Sequence, residues 1–157
     1  MNDFISEKII EDILSSDKII FGEMLSLNPA NLSLVARQKI LRSGKLDLLY
    51  LYEDELLLVE LKVVTFYNDI ISQVNGYFED LQELQRQHRL IDAEIRKIIL
   101  VTEAQATDIE KCKQELIELL AQEFELGPHC LSFYQPYVPS VIPQSRQILP
   151  IDVRIVQ

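Results

Sequence analysis

The 157-residue chain has no stretch approaching the roughly 18 uncharged apolar residues that a membrane span needs. That excludes a helical span from the reading. A positively charged leader is missing too: "MNDFISEKIIEDIL" carries its acids early, so the start does not read as a secretion signal. There are only two cysteines, Cys112 and Cys130, and their spacing suits neither a metal-type nor a redox-type pair. They read as buried thiols of a cytoplasmic protein. No Ser/His/Asp or Cys/His arrangement is visible, nor a phosphate-binding P-loop, nor a dinucleotide fingerprint. Internal repeats and low-complexity segments are also lacking. Cations are scarce, and the net charge is −10. A general-purpose DNA coat is therefore disfavoured, because non-specific affinity comes from neutralising phosphates. Charge can still be local. Leu34 to Leu46 holds Arg37, Lys39, Arg42 and Lys45 with no acid, whereas Glu103 to Glu125 holds seven acids against Lys111 and Lys113. This predicts one basic face and an acidic back.

What is present is a core: 48% of the residues are apolar, and the length suits one domain. Phe4, Ile5, Ile9, Ile13 and Leu14 recur at helical spacing, which predicts an amphipathic helix over residues 3–15. "SLNPANLS" reads as a loop. Three strands follow: "LSLVARQKIL", "KLDLLYLY" and "ELLLVELK". Ser43-Gly44 and Glu53-Asp54 supply the turns between them. "NDIISQVNGYFEDLQELQRQHRL" reads as a helix started by Asn68 or Asp69, with Ile70, Val74, Tyr77, Phe78, Leu81 and Leu84 as its apolar face. Gly76 weakens it, which calls for close packing or substrate access as the reason. "RKIILVT" reads as a buried, central strand. "DIEKCKQELIELLAQEF" reads as a further amphipathic helix with Ile109, Leu116, Leu119 and Leu120 inward. "LSFYQPY" reads as another strand, followed by an extended tail and an edge strand in "PIDVRIVQ". The fold class is α/β: a mixed sheet, begun by a three-strand antiparallel meander and flanked by helices. The domain spans 1–135, and 136–157 is a tail belonging to it or to a dimer contact.

The second hairpin carries the chemistry. With its turn centred on Glu53-Asp54, antiparallel partners have numbers that sum to a constant, and Asp47 falls opposite Glu60. Directly opposed residues share a face, with Cβ atoms roughly 4.5–5.5 Å apart. Lys62, two residues beyond Glu60, shares it too. Two carboxylates this close repel, and one must take a proton unless a positive charge intervenes. Mg²⁺ or Mn²⁺ resolves this with Asp47, Glu60 and the main-chain carbonyl of Leu61 as oxygen ligands. Such an ion polarises a phosphoryl oxygen and acidifies water, and Lys62 is placed to orient that water or stabilise developing charge. The competing reading is a surface ion pair worth only about 0–1 kcal/mol. Glu-x-Lys alone arises by chance about once in such a chain. Its place at the end of an aliphatic strand, with an Asp across the turn, is what singles it out.

"GKLDLLYLYEDELLLVELK", Gly44 to Lys62, resembles the core of the PD-(D/E)XK nuclease superfamily, the restriction-endonuclease-like fold. Asp47, Glu60 and Lys62 match its pattern, and Leu46 stands where the motif's proline would be. The likeness covers roughly residues 4–102, judged by the order of elements. "VARQ…GKLDLL…VELK" is most similar to single-chain archaeal and bacterial nucleases acting on mismatched or branched DNA, without their separate DNA-binding domain. Gln73 and Tyr77, one helical turn apart, resemble the Gln-x-x-x-Tyr motif of RecB-like members. The resemblance implies a water or phosphate contact for Gln73 and a stacking or phosphate contact for Tyr77; the plainer reading is a core aromatic beside a surface amide. It also implies an acid on the first helix. Glu7 and Glu11 are the candidates, and "IIEDIL" favours Glu11 although it lies almost opposite the apolar stripe. Arg37, Gln38 and Lys45 are candidate phosphate contacts, with alternation placing Arg37 and Lys39 on one face and Gln38 on the other. Arg86 and Arg89 extend the basic rim.

Together these imply a metal-dependent endonuclease that hydrolyses DNA phosphodiester bonds with water as nucleophile. DNA would approach the one electropositive face, and a homodimer or a protein partner would supply further recognition. The alternative is a non-catalytic member of the fold acting as a regulatory or interaction subunit, which the −10 charge favours.

Overall fold

The computed structural model describes residues 7–126 and 131–134, with side chains described over 7–122. Phe4, Ile5, Cys130 and the tail from residue 135, with its anticipated edge strand, lie outside these residues.

Five strands build a mixed sheet in the order β1-β2-β3-β4-β5: β1 Leu32–Leu41, β2 Gly44–Tyr52, β3 Glu55–Thr65, β4 Glu94–Glu103 and β5 Ile117–Ala121. The first three form the expected antiparallel meander. β3 then pairs parallel with β4, and β4 parallel with β5. Helix α3 (Asp69–Arg86) makes the first crossover and α4 (Ala106–Gln114) the second. Two N-terminal helices, α1 (Glu7–Ser16) and α2 (Lys18–Leu25), cover the other face. A short antiparallel pair, β6 (Glu123–Leu126) and β7 (Leu131–Tyr134), stands apart from the main sheet.

β3 is central, and this explains its composition. Leu57, Val59 and Leu61 pack with Ile10, Leu14 and Phe21 on the α1–α2 side. Leu56 and Leu58 pack with Ile70, Val74, Tyr77 and Leu81 on the α3 side. A strand buried on both faces reads as a continuous aliphatic run rather than an alternating one. Each such leucine contributes about 1.5–3 kcal/mol of burial. Glu60 lies inside this run at 2% exposure.

Four details depart from the sequence reading. α1 is rotated: Ile10, Glu11 and Leu14 are buried, while Ile9 is 40% exposed. Partners for Glu11 on β1 turn the helix this way, as described below. α2 was not anticipated, because "KIIFGEML" is apolar nearly all round and shows no helical stripe. Asp17 caps it, accepting from the Ile19 N–H at 3.0 Å. The expected helix over 108–124 stops at Gln114. Leu116 adopts a left-handed backbone (φ 60°) and stands 82% exposed, and β5 begins at the next residue, burying Ile117 and Leu119 beside β4. Parallel pairing with β4 there outweighs helical propensity. Lastly, the first turn is Arg42–Ser43, since Leu41 already pairs with Gly44. Gly76 is explained by packing: a Cβ there would stand 3.0 Å from Ser43 Oγ.

Candidate active site

The β2–β3 ladder runs from Tyr52–Glu55 to Leu48–Val59 and stops. Just beyond it, Asp47 comes close enough to Glu60 for its charge to raise the Glu60 pKa. Here the exposed edge of β3 is taken over by side chains. The Leu61 N–H donates to Asp47 Oδ2 at 2.8 Å, and the Val63 N–H donates to Glu7 Oε2 at 3.1 Å. These carboxylates substitute for missing strand partners, since main-chain donors rarely go unpaired when buried. Asp47 has its pKa raised, first by burial and further by Glu11 and Glu7; the bonds from Leu61 and Gln38 work against the shift.

Glu60 is the buried acid of the cluster. Lys62 Nζ lies 3.5 Å from Glu60 Oε2, while Glu60 Oε1 is buried and has no hydrogen-bond partner. Burial, then the charge of Asp47, pushes the Glu60 pKa up to about 8, against the pull of Lys62. Burial opposes the Lys62 ammonium, but Glu60, Tyr67, Glu7 and Asp47 outweigh it and raise the Lys62 pKa. Burial and the neighbouring carboxylate therefore favour the protonated form of Glu60.

On the α1 side lies a cleft of roughly 670 Å³ lined by Glu7, Lys8, Glu11, Arg37, Gln38, Asp47 and Leu61. Arg37 Nε donates to Glu11 Oε1 at 3.0 Å, and its guanidinium also pairs with Asp12. Gln38 Nε2 donates to Glu11 Oε2 and, at 3.2 Å, to Asp47 Oδ1. Simple alternation is broken here. Gln38 has φ 53° and drops out of the β1–β2 pairing between Arg37 and Lys39, and the adjacent side chains of Arg37 and Gln38 both reach Glu11. The lining is not the basic face the sequence suggested. It offers three acids to two cations, and both cations are paired with Asp12, Lys8 at 3.6 Å. Of the two candidate acids on α1, both reach the site: Glu11 through β1 and Glu7 through β3.

The α3 side is arranged differently. Tyr77 is 1% exposed; its hydroxyl donates to the Lys45 carbonyl at 2.9 Å and accepts from Gln73 Nε2 at 2.9 Å. Burial, followed by the charge of Glu60, raises its pKa. Gly44 (φ 146°) lets this phenol approach, because a Cβ there would stand 3.1 Å from the hydroxyl. The ammonium of Lys45 itself is on an exposed residue of β2. Arg86, expected on the basic rim, pairs with Glu83.

Two solved structures share this arrangement of elements. A repair endonuclease from Pyrococcus abyssi is similar with a TM-score of 0.57 and 17% identity, over 77% of this chain and 48% of the other. EndoMS in a complex with dsDNA is similar with a TM-score of 0.50 and 17% identity, over 77% and 49%. The fold these structures share with the chain is a mixed five-stranded sheet with flanking helices. The chain spans about half the length of either neighbour. No protein-family model and no curated protein matches the sequence.

The donor set suits a hard divalent cation. A buried carboxylate oxygen without a partner, Glu60 Oε1, stands beside a second carboxylate. Among the described residues no three or more His, Cys, Asp or Glu side chains group to hold an ion. Asp47 and Glu60 would thus supply two ligands, with main chain, water and phosphate completing the shell, the pattern Mg²⁺ favours. Asp12, Lys8 and Tyr67 are the neighbours that sequence reasoning missed. The adjacent acids Glu11-Asp12, facing an Arg-Gln pair on a strand, were the one available signal.

Proposed function

We propose that the chain is a nuclease domain that hydrolyses DNA phosphodiester bonds at the Asp47–Glu60–Lys62 cluster, with Mg²⁺ or Mn²⁺ as cofactor. The observation that carries this reading is Glu60: a carboxyl at 2% exposure, one oxygen unpartnered, beside Asp47 and a lysine. A buried carboxyl with an unmet oxygen is costly, and acids with strongly shifted pKa values cluster at functional sites. Asp47, Glu60 and the Leu61 carbonyl would hold the cation, which when bound polarises a phosphoryl oxygen and makes water acidic enough to attack at neutral pH. Asp47 is oriented for this by Leu61 and Gln38. Glu60 would give up its proton to serve as a ligand. Lys62, only partly buried, places its ammonium where it can stabilise the charge that builds on the phosphoryl group. Glu11 and Glu7 line the approach and bias it toward cations. Lys45, exposed on β2, is a candidate for a phosphate contact. Because both cations lining the cleft are already paired, DNA recognition would draw on a second copy or a partner protein.

Calorimetric titration with Mn²⁺ tests the cation site. Wild type should bind and Asp47→Ala should not, and Asp47→Ala should cut cleavage by about a thousandfold or more. A nicking assay on supercoiled, branched and mismatched DNA tests the chemistry. Lys62→Ala should lose about a hundredfold; equal nicking by both proteins would defeat the assignment. The acid-lined cleft favours a second reading, a non-catalytic interaction subunit of the same fold. Absence of Mn²⁺ binding in wild type would decide for it.

A further inference from the structure

We infer that Gln38 is a positioning residue, whose amide nitrogen ties the Asp47 carboxylate to Glu11 and fixes its orientation at the open end of β2 and β3. Its consequence for cleavage rests on the nuclease reading above; its geometry does not.

A glutamine amide nitrogen carries two N–H groups, and an ionised carboxylate can only accept. Gln38 Nε2 meets Glu11 Oε2 and Asp47 Oδ1. The remaining oxygens are also assigned: Glu11 Oε1 to Arg37 Nε, and Asp47 Oδ2 to the Leu61 N–H. The result is one continuous chain, Arg37–Glu11–Gln38–Asp47–Leu61, running through α1, β1, β2 and β3. Gln38 reaches both acids only because its backbone is left-handed, an uncommon state for a residue with a side chain. Such conformations persist where surrounding contacts over-determine them. The donor is neutral. It holds two carboxylates near each other without cancelling their charge, which a lysine or arginine at 38 would do.

Two arms test this. The first needs no metal: amide hydrogen exchange of Leu61 by NMR in wild type, Gln38→Ala and Gln38→Gly. Glycine accepts φ 53° without strain, so Gln38→Gly removes the amide while easing the backbone. Leu61 should exchange about tenfold faster in both variants, since its acceptor is no longer held, while Leu100 in β4 is unchanged. Unchanged Leu61 exchange in both variants overturns the proposal. The second arm measures Mn²⁺ affinity and cleavage. Positioning predicts roughly tenfold weaker Mn²⁺ binding and a ten- to hundredfold lower kcat, with KM for DNA unaltered. A raised KM with intact kcat would make Gln38 a DNA contact and overturn positioning. Mn²⁺ binding that tightens on its removal would show it to be a placeholder for the cation and would also overturn it. If wild type neither binds Mn²⁺ nor cleaves, the nuclease reading falls, and Leu61 exchange alone decides whether Gln38 orders Asp47.

Discussion

Helix α1 brings three carboxylates to β1 and β3, whereas helix α3 brings an amide and a phenol. On the α1 flank the contacts are charged: Glu11 with Arg37 and Gln38, Asp12 with Arg37, Glu7 with a main-chain N–H of β3. On the α3 flank they are neutral and closed, since Gln73 donates to Tyr77 and Tyr77 donates to a main-chain carbonyl. The two flanks bury comparable apolar faces, so packing alone does not distinguish them. Their polar groups do. Charge set around a cleft responds to ions and phosphates, while a neutral pair consumed by its own backbone holds a helix in place. Glu60 links the two: its charge raises the Tyr77 pKa on the α3 flank, and it is itself raised by Asp47, which feels Glu11 and Glu7 of the α1 flank.

The largest effect should come from Glu60 itself. Its carboxyl is raised from an ordinary 4.5 to about 8. In the cation-free protein the native state therefore holds a proton that the unfolded chain releases. Stability from this group is complete below about pH 4.5 and is lost as pH rises through 8. The loss amounts to about 3–5 kcal/mol. Glu60→Gln should flatten this slope, leaving the variant more stable than wild type at pH 8–9 in denaturant melts with chelator present. Mn²⁺ should restore wild type but not Glu60→Gln. A wild-type profile without decline between pH 5 and 9 would remove Glu60 from the centre of the comparison.

Next comes Glu11→Ala on the charged flank. It strips Arg37 of one partner and leaves the Gln38 amide with Asp47 alone. Losing one member of a buried pair costs about 3–5 kcal/mol. Arg37 keeps 32% exposure and still has Asp12, so roughly 1–2 kcal/mol is expected here. Mn²⁺ affinity should fall with it. Were Mn²⁺ binding untouched, the charged flank would be structural, like the other.

Much of this was legible in the chain, and the remainder follows a pattern. The β1 boundaries, the Glu53–Asp54 turn and the α3 stripe of Ile70, Val74, Tyr77 and Leu81 could be read because each has a local signal: alternation, a polar pair or a helical period. So could the approach of Asp47 to Glu60, which needs only the turn position. α2 and β5 could not. "KIIFGEML" lacks a polar face because α2 lies against α1, the 3₁₀ turn at Pro29–Asn31 and the sheet, and "IELLA" becomes a strand only because β4 offers it a parallel edge. The burial of Glu11 was hidden for the same reason: an acid turns inward only when an Arg and a Gln, 26 and 27 residues away, are waiting. Gln38's left-handed backbone leaves no trace in residue type at all.

Gly76→Ala probes the neutral flank through packing. The added methyl would stand 3.0 Å from Ser43 Oγ and 3.3 Å from its Cβ, where the β1–β2 turn is held by the Ser43 N–H donating to Asp80 at 2.7 Å. Alanine favours the helix by about 1 kcal/mol, while overpacking typically costs about 1–3. A net loss near 1 kcal/mol is expected in a urea melt, with Mn²⁺ affinity unchanged. A net gain would mean that the turn gives way easily and that α3 is held less firmly than its contacts indicate.

The smallest change is Tyr77→Phe, and it bears most directly on what α3 does. The ring stays in its core position, so the apolar contacts of a residue at 1% exposure persist. Only the hydroxyl goes, with its bond to the Lys45 carbonyl and the one from Gln73. Gln73 is half-exposed and can turn to water, whereas the Lys45 carbonyl loses a donor at the β2 end. The expected cost is about 1 kcal/mol, seen as a lower urea midpoint with an unchanged slope. Cleavage and KM for DNA should stay within about twofold of wild type if the phenol serves the backbone. A tenfold loss of kcat/KM at full stability would instead give Tyr77 a part in handling substrate, and the contrast between the two flanks would no longer hold.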